Sequence, residues 1–194
     1  MDAVGSRGLV GLVLAAGAGR RAGGPKALRR DAEDVPWVER AVRRLDAAGC
    51  GRVLVVLGAE AERARVLVPA TATVLVAAAW ETGLSASLGA GLVAAEGVAA
   101  EGGAALITLV DLPDEPPSVG ARLLEQAPPE PGVLARAVFD GRPGHPVLVG
   151  SDYWRALIAR VRGDSGARDL LLEEGARGIE CGDLWSGLDR DGPR

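Results

Sequence analysis

Runs of apolar, often β-branched residues alternate along the chain with amphipathic stretches, a rhythm that predicts strands exchanged with helices. Gly8 to Ala16 shows no polar alternation, which predicts a strand buried on both faces. From Val35 to Ala48, the residues Val38, Ala41, Val42 and Leu45 recur at helical spacing with Arg and Glu on the other side, and Gly49 to Gly51 ends the helix. Arg52 to Leu57 predicts a second strand, Ala59 to Val68 a helix stopped by Pro69, and Ala72 to Ala77 a third strand. Ser85 to Ala95 reads as a helix with Leu84, Leu88 and Leu92 on one face and Ser85 as its cap, followed by a fourth buried strand, Ala104 to Val110, that ends at Asp111. Pro116 to Ala127 predicts another helix.

Beyond Pro128-Pro129-Glu130-Pro131, two strand-like runs, Val133 to Phe139 and Pro146 to Gly150, are joined by the turn-rich Asp140-Gly141-Arg142-Pro143-Gly144, which predicts antiparallel pairing. Asp152 to Val161 and Ala167 to Glu174 read as helices, and Gly178 to Cys181 as a late strand. There is no internal repeat. The expected fold class is α/β: a mostly parallel sheet with a small antiparallel portion, covered by helices on both faces, within a single domain spanning residues 1–194. Such sheets bind ligands beyond the carboxyl ends of their strands, where Gly17 and Asp111 fall.

Composition narrows the function classes. The chain has 194 residues, 48% of them apolar, which is enough to bury a continuous core. A formal charge of -4 and 3% aromatic residues argue against nucleic acid as a partner, because a basic face and stacking platforms are wanting. No apolar run reaches the roughly 18 residues of a membrane span, and Met1 to Gly8 lacks the basic flank and apolar core of a signal peptide, so a cytoplasmic location without membrane contact is expected. Cys50 and Cys181 make no metal-spacing pattern with the single histidine, His145, and are expected to be buried thiols; the four tryptophans are expected in packing roles.

One lysine, Lys26, stands among 22 basic residues, and it lies at the end of the glycine-rich stretch Leu14-Ala15-Ala16-Gly17-Ala18-Gly19-Arg20-Arg21-Ala22-Gly23-Gly24-Pro25-Lys26. A lysine is a compact charge on a flexible stem that fits beside a phosphate where the arginine fork does not. The glycine spacing is one residue off the dinucleotide fingerprint, and Ala27 occupies the position where a P-loop needs Ser or Thr. What remains is a loop that offers backbone N–H groups to an anion, with Arg20, Arg21 and Lys26 adding charge. Asp111, in Leu109-Val110-Asp111-Leu112-Pro113-Asp114, follows a buried strand and can hold a hard divalent cation against phosphate oxygens; the same residue also fits a turn before Leu-Pro, and Asp114 fits a helix cap.

The stretch LAAGAGRRAGGPKAL resembles the signature of the MobA-like nucleotidyltransferases, which transfer NMP from an NTP. The resemblance implies a three-layer α/β/α, Rossmann-like fold of the nucleotide-diphospho-sugar transferase kind. It implies a nucleotide site at Leu14, Ala15, Ala16, Gly17 and Gly19, with Arg21 and Lys26 on the triphosphate; here Ala22 stands where the family often has methionine. It makes Asp111 the Mg²⁺ ligand and, with Lys26 and Arg21, part of the catalytic set. Leu188-Asp189-Arg190-Asp191-Gly192-Pro193 resembles a late acidic segment that completes the metal site, with Asp189 as first candidate and Asp191 as second, although a solvated tail fits as well. Gly83, Ser85 and Ser87 fall in a stretch resembling the family's Gly-x-x-x-Ser-Leu, which lies against the nucleotide.

Gly141 to Leu148 and Gly163-Asp164-Ser165-Gly166-Ala167-Arg168 resemble the Gly-His-Pro and Gly-Asp-x-Gly-Ala-Arg motifs of molybdenum cofactor cytidylyltransferases, and Ala15-Ala16-Gly17 resembles that branch rather than the guanylyl one. His145 and Arg168 are thereby placed on the acceptor side. The implied reaction transfers CMP from CTP to molybdopterin with release of pyrophosphate, and a molybdoenzyme would receive the product. The alternatives are a guanylyltransferase, a nucleotidyltransferase acting on another phosphorylated metabolite, and a non-catalytic nucleotide-binding maturation or sensing protein.

Overall fold

The computed structural model describes residues 8–99, 103–160, 163 and 167–190. Its seven strands are β1 (Leu9–Ala15), β2 (Arg52–Leu57), β3 (Thr73–Val76), β4 (Ala104–Leu109), β5 (Leu134–Phe139), β6 (Arg142–Gly150) and β7 (Arg177–Glu180). They form one sheet in the order β3-β2-β1-β4-β6-β5-β7. All neighbours are parallel except that β6 runs antiparallel to both β4 and β5. The mostly parallel sheet with a small antiparallel portion is the arrangement expected from the sequence.

Among the described residues, six α-helices cover the sheet: α1 (Trp37–Ala47), α2 (Ala61–Arg65), α3 (Leu84–Glu96), α4 (Pro117–Gln126), α5 (Trp154–Arg160) and α6 (Arg168–Glu173). Trp37, Val38, Leu45, Val119 and Leu123 from α1 and α4 join Val13, Val55 and Leu106 in one core cluster. Leu88 and Leu92 of α3, Leu157 of α5 and Leu170 of α6 join Leu12, Leu54 and Val149 in another on the opposite face. Every residue of β1 is buried, as a strand central to a doubly covered sheet requires. Both cysteines are buried and free, and burial pushes the Cys50 thiol up to about 12, which leaves it unreactive. Among the described residues no helix is long and apolar enough to cross a membrane.

Three local expectations change. The helix expected from Ala59 to Val68 is only Ala61–Arg65, because Glu60 enters it with a positive φ of 50° and the bonds after Ala64 tighten to i→i+3. The expected loop Asp140 to Gly144 is a two-residue turn: Asp140 and Gly141, with φ of 50° and 77°, match the twist of a hairpin, so Arg142, Pro143 and Gly144 already belong to β6. Pro143 and Pro146 are tolerated there because β6 pairs with β4 only from Val147 to Gly150. Ser85 is not the cap of α3. That helix follows Gly83 without a side-chain cap, and the Ser85 hydroxyl donates instead to the Gly163 carbonyl at 2.5 Å.

Candidate active site

At the carboxyl end of β1 the chain turns through Gly17 and Ala18 into a short 3₁₀ turn, Arg20–Ala22. Gly19 stands at its entry with φ 57°, and a Cβ there would lie 2.0 Å from the Gly24 carbonyl oxygen, so no side chain fits. The Ala22 and Gly24 N–H groups both donate to the Gly19 carbonyl, at 2.9 and 3.1 Å, folding the loop back on itself. The Arg29 guanidinium donates to the Ala22 carbonyl and stacks 5.4 Å above the Trp37 ring, tying the loop to α1. Arg20 and Arg21 are left exposed at the rim.

Lys26, past the loop, reaches across to Asp111: Nζ lies 3.0 Å from Oδ2. Asp111 follows β4, whose neighbour β1 carries the loop, so adjacent parallel strands deliver the two charges to one point. The second carboxylate oxygen, Oδ1, is buried and has no hydrogen-bond partner. An unmet buried carboxylate oxygen is costly unless something with positive charge or an N–H meets it.

The turn after Asp111 is braced from below. Arg44 of α1 donates to the Leu112 carbonyl at 2.8 Å and to the Thr108 hydroxyl at 3.2 Å, and its Nε lies 3.2 Å from Glu115 Oε2, in ion-pair contact without hydrogen-bond alignment. The Thr108 hydroxyl donates to Glu115 Oε2 at 3.1 Å. Burial pushes the Glu115 carboxyl above its usual range, against the pull of Arg44 and Thr108, and it lowers the Arg44 guanidinium. This buried network, which the sequence reading missed, fixes the backbone that carries Asp111. Asp114 is not the cap expected of it: α4 starts behind Pro116, and Asp114 pairs with Arg190.

Arg190 also settles how the C-terminal segment lies. Its N–H donates to the Asp111 carbonyl at 2.9 Å, and its guanidinium lies 5.9 Å above the Trp37 ring on which Arg29 also stacks. The chain as far as Arg190 is therefore docked beside Asp111, which brings Asp189, with an exposed side chain, into that neighbourhood. Asp191 lies outside the described residues, as do Asp164, Ser165 and Gly166 of the motif that ends at Arg168.

Loop, Lys26 and Asp111 open on a cleft of about 550 Å³. Leu14, Ala15, Ala16, Gly17, Gly19, Arg21, Lys26, Gly83, Ser87 and Asp111 all line it, and so do Trp80, Glu81, Leu84 and Leu109. Trp80 packs partly against the core, as expected of it, and its Cβ and Cγ fill the space that a side chain at Gly58 would need; it also forms part of the wall. Ser85, expected at the nucleotide, is buried and does not line the cleft. His145 on β6 and Arg168 at the start of α6 do not line it either. His145 is partly buried, and burial, helped by the Arg136 guanidinium, pushes its imidazole down to about 4, so it is neutral at pH 7.

The residues fit a hard divalent cation of the kind held by substrate as much as by protein. Among the described residues no group of three or more His, Cys, Asp or Glu side chains forms a metal cage. Mg²⁺ commonly takes one or two carboxylates and fills its octahedron with phosphate oxygens and water, and the orphaned Oδ1 of Asp111 supplies such a carboxylate oxygen.

Residues 11–177 match the MobA-like NTP transferase domain. The chain is 32% identical, over 94% of its length and 92% of the relative's, to a nicotine blue oxidoreductase of Paenarthrobacter nicotinovorans. Among solved structures it resembles the Mycobacterium sp. strain JC1 homologue of Mycobacterium tuberculosis rv0371c, with a TM-score of 0.77, 25% identity, and coverage of 96% of this chain and 92% of that one. It also resembles a nucleotidyl transferase from Methanothermobacter, with a TM-score of 0.72, 25% identity, and coverage of 89% and 87%. The layered sheet is the nucleotide-diphospho-sugar transferase fold. A match over most of the chain, on a fold that sets the glycine loop and its lysine against an aspartate on the next strand, makes this chain a member of the MobA-like NTP transferase family.

Proposed function

We propose that the protein is a cytoplasmic, Mg²⁺-dependent cytidylyltransferase that moves CMP from CTP onto a phosphate of molybdopterin, for delivery to a molybdoenzyme. The observation that carries the transferase reading is the meeting of Lys26 and Asp111 at 3.0 Å on the floor of a glycine-lined cleft. The choice of CTP and molybdopterin rests on the cytidylyl motifs, Ala15-Ala16-Gly17 and Gly144-His145-Pro146.

In this reading a phosphate oxygen of the acceptor attacks the α-phosphorus of CTP. The bond from that phosphorus to the bridging oxygen breaks, and pyrophosphate leaves with the electron pair. The Gly17 to Gly24 backbone and Arg21 hold the triphosphate, so its attack geometry is set before reaction. Lys26 exchanges Asp111 for the phosphates and neutralises charge that grows on the leaving group. Asp111, with Asp189 from the docked segment, would hold Mg²⁺, which supplies further charge neutralisation on phosphate oxygens when bound. His145 and Arg168 are assigned to the acceptor.

Pyrophosphate release is the test, with purified protein, Mg²⁺, molybdopterin plus molybdate, and each of the four NTPs in turn. Release with CTP alone is expected. Release with GTP alone would move the protein to the guanylyl branch, and CTP binding without release would overturn the catalytic reading. The similarity to nicotine blue oxidoreductase favours a second reading, in which the cleft holds a nucleotide electron carrier. Oxidation of NADH or NADPH with a quinonoid dye, and no pyrophosphate release, would select it.

A further inference from the structure

Arg136 is a basic side chain that does not line the cleft. On β5 it alternates with Ala135 and Ala137, which join the core beside α1 and α4, so Arg136 faces the other side of the sheet, toward α3, α5 and α6. Its cross-strand partner, Val147, belongs to the core on that side. The Nε atom of Arg136 is buried and has no hydrogen-bond partner.

Other arginines of this chain find carboxylates: Arg40 pairs with Asp31, Arg44 with Glu115, Arg122 with Asp183 and Arg160 with Glu173. Arg136 has no such ion pair among the described residues. Arg168 and His145 are among its electrostatic neighbours, so two guanidinium charges act on one another there, and among the described residues no carboxylate pairs with Arg136. Glu173 and Glu174 of the adjacent α6 are both engaged by Arg160. A half-buried guanidinium beside a second one is costly, and an anion between them offsets that cost.

The position suits an acceptor. β4 and β6 pair as far as Ile107 and Val147; two residues further along each strand, in the same direction, are Leu109, which lines the cleft, and His145.

We propose that Arg136, together with Arg168 and His145, forms a second anion pocket next to the nucleotide cleft and that it receives a phosphate monoester of the acceptor. Arg136 supplies the fork that grips the phosphate. His145, neutral at pH 7, donates one N–H. The assignment of that phosphate to an acceptor rests on the transferase reading, whereas the pocket itself does not.

The single histidine makes the pocket observable by NMR, since every imidazole signal belongs to His145. Inorganic phosphate is the probe. It is expected to raise the titration midpoint of His145 by about one pH unit or more, as a close opposite charge does. The same rise is expected in Lys26→Ala, where the glycine loop is weakened, and its loss in Arg136→Gln. Should Arg136→Gln not fold, the exposed Arg168→Gln serves in its place and is expected to reduce the rise.

In turnover, Arg136→Gln is expected to raise KM for the acceptor about tenfold or more, as loss of a charged hydrogen bond does, with KM for the nucleotide unchanged. A His145 signal that phosphate leaves unmoved, or moves equally in wild type and both arginine variants, would overturn the pocket even if CTP is turned over. A phosphate effect that depends on Arg136 in a protein that releases no pyrophosphate would uphold the pocket and sink the transferase reading.

Discussion

Arg44 and Glu115 meet with 4% and 2% of their side chains exposed, whereas Lys26 and Asp111, at the same end of β4, meet with 15% and 20% exposed. The first pair is also tied to the Leu112 carbonyl and the Thr108 hydroxyl, so its lost hydration is largely replaced. Removing one member leaves the other charged and dry. The second pair has one carboxylate oxygen unmet and solvent at hand, so either charge can change partners at little cost. The difference separates an ion pair that holds a backbone turn from one that can open for a ligand.

The largest effect should come from breaking the buried pair. Arg44→Met is expected to lose about 3–5 kcal/mol of unfolding free energy in urea, and adding Glu115→Leu should recover most of it, because both buried charges are then gone. A loss below about 1 kcal/mol for the single variant would erase the contrast.

Lys26→Ala should behave in the opposite way. Pyrophosphate release is expected to fall about 10²- to 10³-fold, as when a preorganised charge donor is removed, while the melting midpoint stays close to wild type. Lys26→Arg should restore little, since a planar fork replaces a point charge. Equal turnover in the folded alanine variant would remove Lys26 from the chemistry.

A smaller effect tests His145, which has a positive neighbour where the two pairs have opposite charges. Its folded midpoint of about 4 lies below the ordinary 6.5, so the unfolded chain binds the proton that the folded chain refuses. Stability is therefore present above pH 6.5 and falls as the pH drops toward 4. Urea midpoints across that window should decline less steeply in His145→Gln, by a slope corresponding to about one proton.

The smallest concerns the docked C-terminal segment. Arg190→Ala should cost about 1 kcal/mol, losing its Trp37 contact and the Asp114 pair, and should raise the Mg²⁺ concentration for half-maximal turnover by loosening Asp189. An unchanged Mg²⁺ requirement would detach Asp189 from the metal site.

The central strands were legible because a strand buried on both faces must be apolar throughout: β2 falls where expected, and β1 and β4 end within a residue or so of their predicted limits. The glycine loop was legible for a related reason, since its tight return at Gly19 admits no side chain. The hairpin boundary was not, because Arg142-Pro143-Gly144 carries turn residues although the chain has already turned at Asp140 and Gly141. Ser85 was misplaced because a hydroxyl at a helix start satisfies a distant carbonyl as readily as its own helix.

What the sequence by itself determined is the order of strands and helices and the place of the glycine loop with its single lysine, all of which are encoded in neighbouring residues. Tertiary structure alone decided which charges meet. Lys26 and Asp111 are 85 positions apart and Arg44 and Thr108 are 64 apart. Arg136, too, becomes conspicuous only when folding buries its Nε without giving it a partner. Strand order and helix packing bring such groups together, and burial then sets the cost of leaving any of them unmatched.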